Sequence, residues 1–479
     1  MSKLISNYLF TVIYQVLLMI TPLITTPYIA RILKAEGVGI DAYVASIVQL
    51  FIVFIVLSLP KYGSRQIAVR QNQQDTSKEF WSIFTFQSIV AVLNFAAYFI
   101  FLMTITEHKE LFYLHLLTLL AYSFDISWYF IGKEQIKKIT LRNVFVKITG
   151  IILIFTFVKE IDDLPIYIII NAATLLVGQL IMWVPILKEI KFVRVTLKEI
   201  KTHISPILVL FLPELMIQVY VLVNRIILGN ISGEVEVGYY NQANKIIKIV
   251  LGVISSLGIV LLPRMASEFS KGNHEAMQKY IKYTLQFVLL ISIPMMFGMM
   301  GIAPNLVVWF LGNEFLDVST LLVIMSPVIL FVGLANVFGI QVLISTNQQN
   351  KYSIAITIGA VLSLVTNFFL VYSLASVATT IALLVAEATG ALIQMYFARK
   401  YFNFKEFLVL LFKYTVLGLL VFASVRGIGY ALDITPILLT VVQLIVGVFI
   451  YLLGLIIIKD SMVFNVIRII KGRVSKSQG

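Results

Sequence analysis

Runs of about twenty apolar residues succeed one another with only short polar breaks, and this rhythm constrains the chain more than any motif does. A bilayer core about 30 Å thick takes roughly 20 residues of helix to cross. On that rule fourteen spans are predicted, at 5–30, 40–60, 80–104, 111–131, 143–158, 165–187, 204–229, 240–262, 281–303, 318–342, 352–373, 376–398, 407–427 and 437–458. Backbone polar groups in hydrocarbon must pair within the structure, so runs of this length predict helices. The expected fold is an all-α polytopic membrane protein. Composition agrees: 13% of residues are charged, where a soluble domain carries about 25%. No gap is long enough for a separate soluble domain. The absence of cysteine excludes a disulfide framework or thiolate metal site, and the four histidines show no ligand spacing. No resident cofactor is expected. Met1-Ser2-Lys3 leads into the first apolar run without a small-residue cleavage site, which predicts a first span rather than a removed signal.

The net charge of +13 reports orientation. With the N-terminus placed inside, 29 of the 37 basic residues fall in inner loops and termini. Five fall outside: Arg31, Lys34, Lys109, Lys159 and Arg426. Positive charge collects on the cytoplasmic side of membrane proteins, so both termini are expected in the cytoplasm. Such a distribution explains the basic balance without nucleic acid. The tail from Met462 to Val474 alternates apolar residues with Arg468, Lys471 and Arg473, the pattern of a surface helix on the inner leaflet.

A weak internal repeat organises the spans. Arg31-Ile-Leu, Val38-Gly39 and Leu59-Pro60-Lys61 recur as Arg225-Ile-Ile-Leu, Val237-Gly238 and Leu262-Pro263-Arg264. Gly132-Lys133-Glu134-Gln135 with Lys138 lies opposite Ser345-Thr346-Asn347-Gln348 with Lys351. Six spans per copy preserve orientation, predicting parallel repeats about an axis along the membrane normal. The divisions expected are an N-terminal lobe at 1–200 (spans 1–6), a C-terminal lobe at 201–403 (spans 7–12), and spans 13–14 with the tail at 404–479.

Three cations, Arg225, Lys245 and Lys248, fall inside predicted spans, where charge is expensive and commonly functional. Arg31 matches Arg225 in the repeat. Asn241, Lys245 and Lys248 stand at i, i+4 and i+7, one face of a helix. Together these five predict a cationic lining suited to a phosphate or other anion. Snorkelling of long side chains to the headgroups is the competing reading, strongest for Arg31 and Lys245 near the outer surface. Three intramembrane acids, Asp125, Glu214 and Glu387, are candidates for ion coupling or salt bridges. Glu214 beside Pro213 is placed for coupling, Asp125 for a salt bridge, and Glu387, between Ala386 and Ala388, for helix packing. Pro22 and Pro27 can bend the first span, with Thr21, Thr25 and Thr26 placed to re-satisfy freed carbonyls or line a cavity. Gly37, Gly39, Gly229, Gly233 and Gly238 suggest tight outer turns. No Gly-rich run ending in Gly-Lys-Ser/Thr occurs, so no P-loop ATPase is expected in this chain.

The stretch Phe124-Asp125-Ile126-Ser127-Trp128-Tyr129-Phe130-Ile131-Gly132-Lys133-Glu134, with Thr140-Leu141-Arg142-Asn143, resembles a signature of bacterial polysaccharide flippases of the Wzx type. Asn224-Arg225-Ile-Ile-Leu-Gly229 through Val237-Gly238-Tyr239-Tyr240-Asn241-Gln242-Ala243 is similar to a second signature, and Leu262-Pro263-Arg264 to a third. One departure is Asn224, where the family often has Asp before the arginine. The resemblance implies the multidrug/oligosaccharidyl-lipid/polysaccharide (MOP) superfamily, with two six-helix lobes around a central cavity. It implies a transporter of the bacterial inner membrane that moves an undecaprenyl-diphosphate-linked oligosaccharide outward by alternating access, with membrane lipids, a polysaccharide polymerase and glycosyltransferases as partners. Proton or sodium coupling is left open. A MATE-like drug or cation antiporter is the first rival and would need an acidic cation site. A membrane-embedded polymerase or ligase is the second and would need a larger outer loop carrying an acid/base pair. A passive scaffold in a synthesis complex is a third.

Overall fold

The computed structural model describes residues 2–271 and 274–464. Among the described residues eleven helices are long and apolar enough to cross a membrane. Contacts divide the chain into two compact units, residues 1–238 and 239–479.

The first unit runs α1 (Ser2–Val56), α2 (Leu59–Ala68), α3 (Gln73–Thr104), α4 (Lys109–Leu114), α5 (Leu116–Ser123), α6 (Ser127–Gly132), α7 (Ile136–Phe157), α8 (Leu164–Glu189), α9 (Leu197–Thr202) and α10 (Ile204–Ser232). Predicted spans 1 and 2 merge in α1, whose one non-helical residue is Lys34 at φ 57°. The two prolines do not break it. Thr21 and Thr25 donate to the carbonyls of Leu17 and Thr21, four residues back, and not to those the prolines leave without a donor. α1 packs against α3, α5, α7 and α10. Because α10 belongs to this packing, the unit ends well past the 200/201 boundary that span counting places. The core of this unit gathers Phe80, Trp128, Tyr129 and Phe130 with Leu59, Tyr62, Ile186 and Ile207.

Predicted span 4 is interrupted. α5 stops at Ser123 and α6 starts at Ser127, because the intervening carbonyls find side-chain donors. Gln87 on α3 donates to the carbonyls of Ser123 (3.1 Å) and Asp125 (3.0 Å). The Trp183 indole on α8 donates to that of Phe124 at 3.0 Å. A helix break at membrane depth is tolerated when its backbone is paired in this way.

The second unit takes up α11 (Glu234–Ser270) after its first turn, then α12 (His274–Phe310), α13 (Asp317–Met325), α14 (Val328–Ala335), a π-helical stretch at Asn336–Ile344, α15 (Gln349–Ala398), α16 (Phe404–Ala431) and α17 (Pro436–Ile457). Spans 11 and 12 merge in α15 across a single non-helical residue, Ala375. α16 and α17 pack on α12, fastened by bonds from Trp309 to Thr440 (2.9 Å), from Asn305 to Gln443 (3.3 Å) and from Tyr451 to the Leu290 carbonyl (2.7 Å). Such interhelical bonds contribute about 0.6 kcal/mol each in lipid. Spans 13 and 14 are thus part of this unit's packing. The expected tail helix lies almost wholly outside the described residues.

One pair of the matched stretches forms the same turn. Glu134 and Asn347 both adopt the left-handed conformation, at φ 54° and 58°. In the first turn Gln135 N–H donates to Phe130, and in the second Gln348 N–H donates to Leu343, both at 2.8 Å. This is the six-to-one bond that closes a helix C-terminus around a left-handed residue. Lys138 and Lys351 then begin the next helix with the same bond to Gln135 and Gln348. Many large apolar side chains face outward among the described residues, with Met103 81% and Phe412 74% exposed, as lipid contact requires and water would not tolerate.

Candidate functional site

In the first unit the cations sit on two helices that pack together. Arg31 lies on α1 three residues before the Lys34 break and is exposed; Arg225 lies on α10 and is half-buried beside buried Asn224. α1 and the first turn of α11 approach more closely than side chains allow. A Cβ on Gly39 would stand 1.9 Å from the Glu234 carbonyl oxygen, and one on Gly238 would stand 2.6 Å from that of Ala35 and 3.2 Å from the Gly39 Cα. The two repeat-related glycines therefore face each other in helices. Among the five outer glycines only Gly233 has a positive φ, 89°, and makes a turn. Sequence reasoning took the others for turns because a glycine needed for contact looks the same as one needed for a bend. Tyr43 donates to Asn230 at 2.5 Å, and His108 meets Glu234 at 2.9 Å, fastening the same corner.

In the second unit Asn241, Lys245 and Lys248 share one face of α11. Their exposure rises along it: Asn241 is buried, Lys245 half-buried and Lys248 exposed. Next to them Gln242 is 0% exposed, and neither polar atom of its amide has a hydrogen-bond partner among the described residues. A buried amide in that state costs roughly 1–3 kcal/mol, a cost compatible with a place that is used.

The three acids go to different ends. Glu214 pairs with Lys61 and accepts from Ser58. Asp125 accepts from the backbone N–H (2.8 Å) and hydroxyl (2.5 Å) of Ser127, heading α6. Ser127 in turn receives Arg142 at 3.1 Å, and Arg142 also donates to buried Gln179. The first signature is therefore held as a paired helix break. Glu387 is half-buried between buried Ala386 and half-buried Ala388 on the second arm of α15. Sequence reading did not single out Gln87, Gln179 or Gln242; Gln87 and Gln179 each stand as a lone amide in an apolar run, whereas Gln242 lies between Asn241 and Asn244. It also missed His203, 4% exposed, whose ring nitrogens meet the Tyr62 and Ser82 hydroxyls at 2.6 and 2.7 Å. A neutral ring accepts from one hydroxyl and donates to the other.

Arginine and lysine side chains, whether on α1 and α10 in the first unit or on α11 in the second, can each pair with an anion; they supply no nucleophile with a base beside it. The family model described as "Polysaccharide biosynthesis protein" matches residues 4–269, more than half of the chain. The chain belongs to this family. The model "Lipid II flippase MurJ" matches residues 139–449 of this polysaccharide biosynthesis protein, so the likeness extends through both units. The protein named "Putative O-antigen transporter" in Escherichia coli (strain K12) is 25% identical over 403 residues, 82% of this chain and 96% of that protein. The solved structure "Lipid II flippase MurJ, inward closed conformation" has a TM-score of 0.74 at 18% identity, over 96% of this chain and 100% of that one. An inward-facing MATE family transporter of the MOP superfamily has a TM-score of 0.60 at 14% identity, over 79% and 94%. At those identities the solved structures speak for the fold alone. The two family models and the O-antigen relative make this polysaccharide biosynthesis protein a Wzx-type flippase of the MOP superfamily: a multi-pass membrane transporter and not a catalytic enzyme.

Proposed function

We propose that this flippase carries an undecaprenyl-diphosphate-linked oligosaccharide from the inner to the outer leaflet of the bacterial cytoplasmic membrane, for a cell-surface polysaccharide of the capsule or O-antigen type. The observation that carries the reading is the run of Asn241, Lys245 and Lys248 on one face of α11, in a chain whose relatives are named for O-antigen and lipid II transport. Each arm of the two broken helices counts as a crossing. With α11 added to the eleven apolar helices, fourteen crossings result, arranged as two lobes with both termini in the cytoplasm. In this reading the cations take the diphosphate and the polyprenyl chain stays in lipid. Neutralising the headgroup also reduces the pull of the membrane potential, about 2.3 kcal/mol per charge per 100 mV.

The test is reconstitution. Purified protein in proteoliposomes should transfer fluorescent lipid-linked oligosaccharide to the leaflet where an added reductant quenches it. Proton and sodium gradients imposed singly assign the coupling ion. Absence of transfer under every gradient would reject the proposal. The MATE-like antiporter reading is disfavoured by Glu214, which is already engaged by Lys61 and Ser58.

A further inference from the structure

In the first unit two adjoining clefts, of about 500 and 470 Å³, share Tyr62, Gln66 and Pro206 and so form one groove. One end is apolar, with Val69, Val209 and Leu210, and the apolar face continues along α10 through exposed Leu208 and Leu212. Arg65 stands at this end. The other end is charged, but most of its charge is matched: Arg70 meets Glu79 at 2.7 Å and Lys78 meets Glu199 at 2.6 Å. Two groups are left over. Arg65 makes no ion pair among the described residues, and the Asp75 carboxylate receives only the Asn72 amide, at 2.7 Å. Along the groove the order is apolar wall, spare cation, spare anion.

The second unit holds a cleft of about 640 Å³ with the same inventory. Its wall is Leu285, Phe402, Phe407 and Leu410; Lys282 meets Glu406 at 2.8 Å; Lys279 and Glu275 are left over. Glu199 and Glu406 are each the third residue of a helix whose cap side chain, Thr196 or Asn403, accepts backbone N–H groups. The pairing is thus repeated in sequence position as well as in kind.

Balanced charge decides what such a groove can take. An anionic headgroup would meet the carboxylates, and a cationic one the lysines and arginines. A zwitterion with its phosphate next to the acyl chains and a primary ammonium further out meets each charge in order. An N–H-bearing ammonium is needed, because a quaternary one cannot donate to a carboxylate. We propose that these grooves are docking sites for an ethanolamine phospholipid of the surrounding bilayer, one in each unit, separate from the translocated substrate. In the first unit Arg65 holds the phosphate and Asp75 the ammonium; in the second Lys279 and Glu275 do so.

Native mass spectrometry of the full-length protein with phosphatidylethanolamine, phosphatidylcholine or phosphatidylglycerol at equal concentration tests this. Two ethanolamine lipids should be retained, several-fold above either other lipid. Arg65→Gln with Asp75→Asn should remove one, and Glu275→Gln with Lys279→Gln the other, with thermal unfolding unchanged because all four positions are exposed. Equal retention of the three lipids, preference for phosphatidylglycerol, or wild-type lipid counts in both double variants overturns the proposal. The readout does not involve transport, so it stands or falls apart from the flippase reading.

Discussion

Gln87 shows how much one polar side chain can decide inside an apolar bundle. Its amide N–H groups hold the Ser123 and Asp125 carbonyls and its carbonyl receives the Trp128 indole at 3.2 Å. Gln87→Leu keeps the size and leaves those groups without partners. The expected cost is about 1–3 kcal/mol, read as a lower melting temperature of the purified protein. Asp460 is a second case, at 0% exposure. It accepts from Lys413 at 2.6 Å, from Tyr414 at 2.8 Å and from the backbone of Met462 at 3.0 Å. Burial alone would raise its pKa, but the Lys413 and Tyr414 hydrogen bonds outweigh it and hold the carboxyl below its ordinary value. Asp460→Ala should cost about 2–3 kcal/mol, less than the ~3–5 kcal/mol of a fully buried pair, since Lys413 keeps a quarter of its side chain exposed. A melting temperature equal to wild type would show the network to be idle.

Among elements, the knee of α1 and the segment leading into α10 matter most. Gly39→Ala has no room for its methyl against the Glu234 carbonyl. Overpacking of this kind costs about 1–3 kcal/mol, and cross-linking between cysteines placed on α1 and on the first turn of α11 should weaken with it. The segment before α10 is held to α3 by Lys78–Glu199, by the Trp81 indole on the Lys191 carbonyl at 3.0 Å, and by His203. The Lys78 hydrogen bond draws the Glu199 carboxyl down to about 2. A depressed carboxylate contributes stability that is complete above its unfolded value and lost as pH falls through the folded one. The gap between wild type and Glu199→Gln should therefore be constant from pH 7 to about 4.5 and close between there and about 2. A gap undiminished at pH 2.5 would assign the effect to packing. His203 is lowered by burial, so this attachment also weakens as pH falls below the usual histidine range.

For the molecule as a whole, transport is the measure. Arg225→Ala and Lys248→Ala should each slow oligosaccharide transfer by about tenfold or more, the ~1.5–3 kcal/mol of a charge-assisted hydrogen bond, with melting temperature preserved for exposed Lys248. Unaltered transfer in both would remove the cationic face from the mechanism. The chain by itself determined that this is a helical membrane protein, because span length and alternating loop charge are one-dimensional properties set by the bilayer. It also carried one turn twice, since Glu134–Gln135 and Asn347–Gln348 build the same helix end from local residues. Only the tertiary structure decided that Gly39 and Gly238 are contacts and not turns, that Asp125 heads a helix while Glu214 pairs with Lys61, and that Gln87 supports a break in span 4. Apart from Asp125, whose partner Ser127 is two residues away, those outcomes depend on partners distant in sequence, and hydropathy, which weighs residues singly, holds no information about which distant group a buried polar atom will meet.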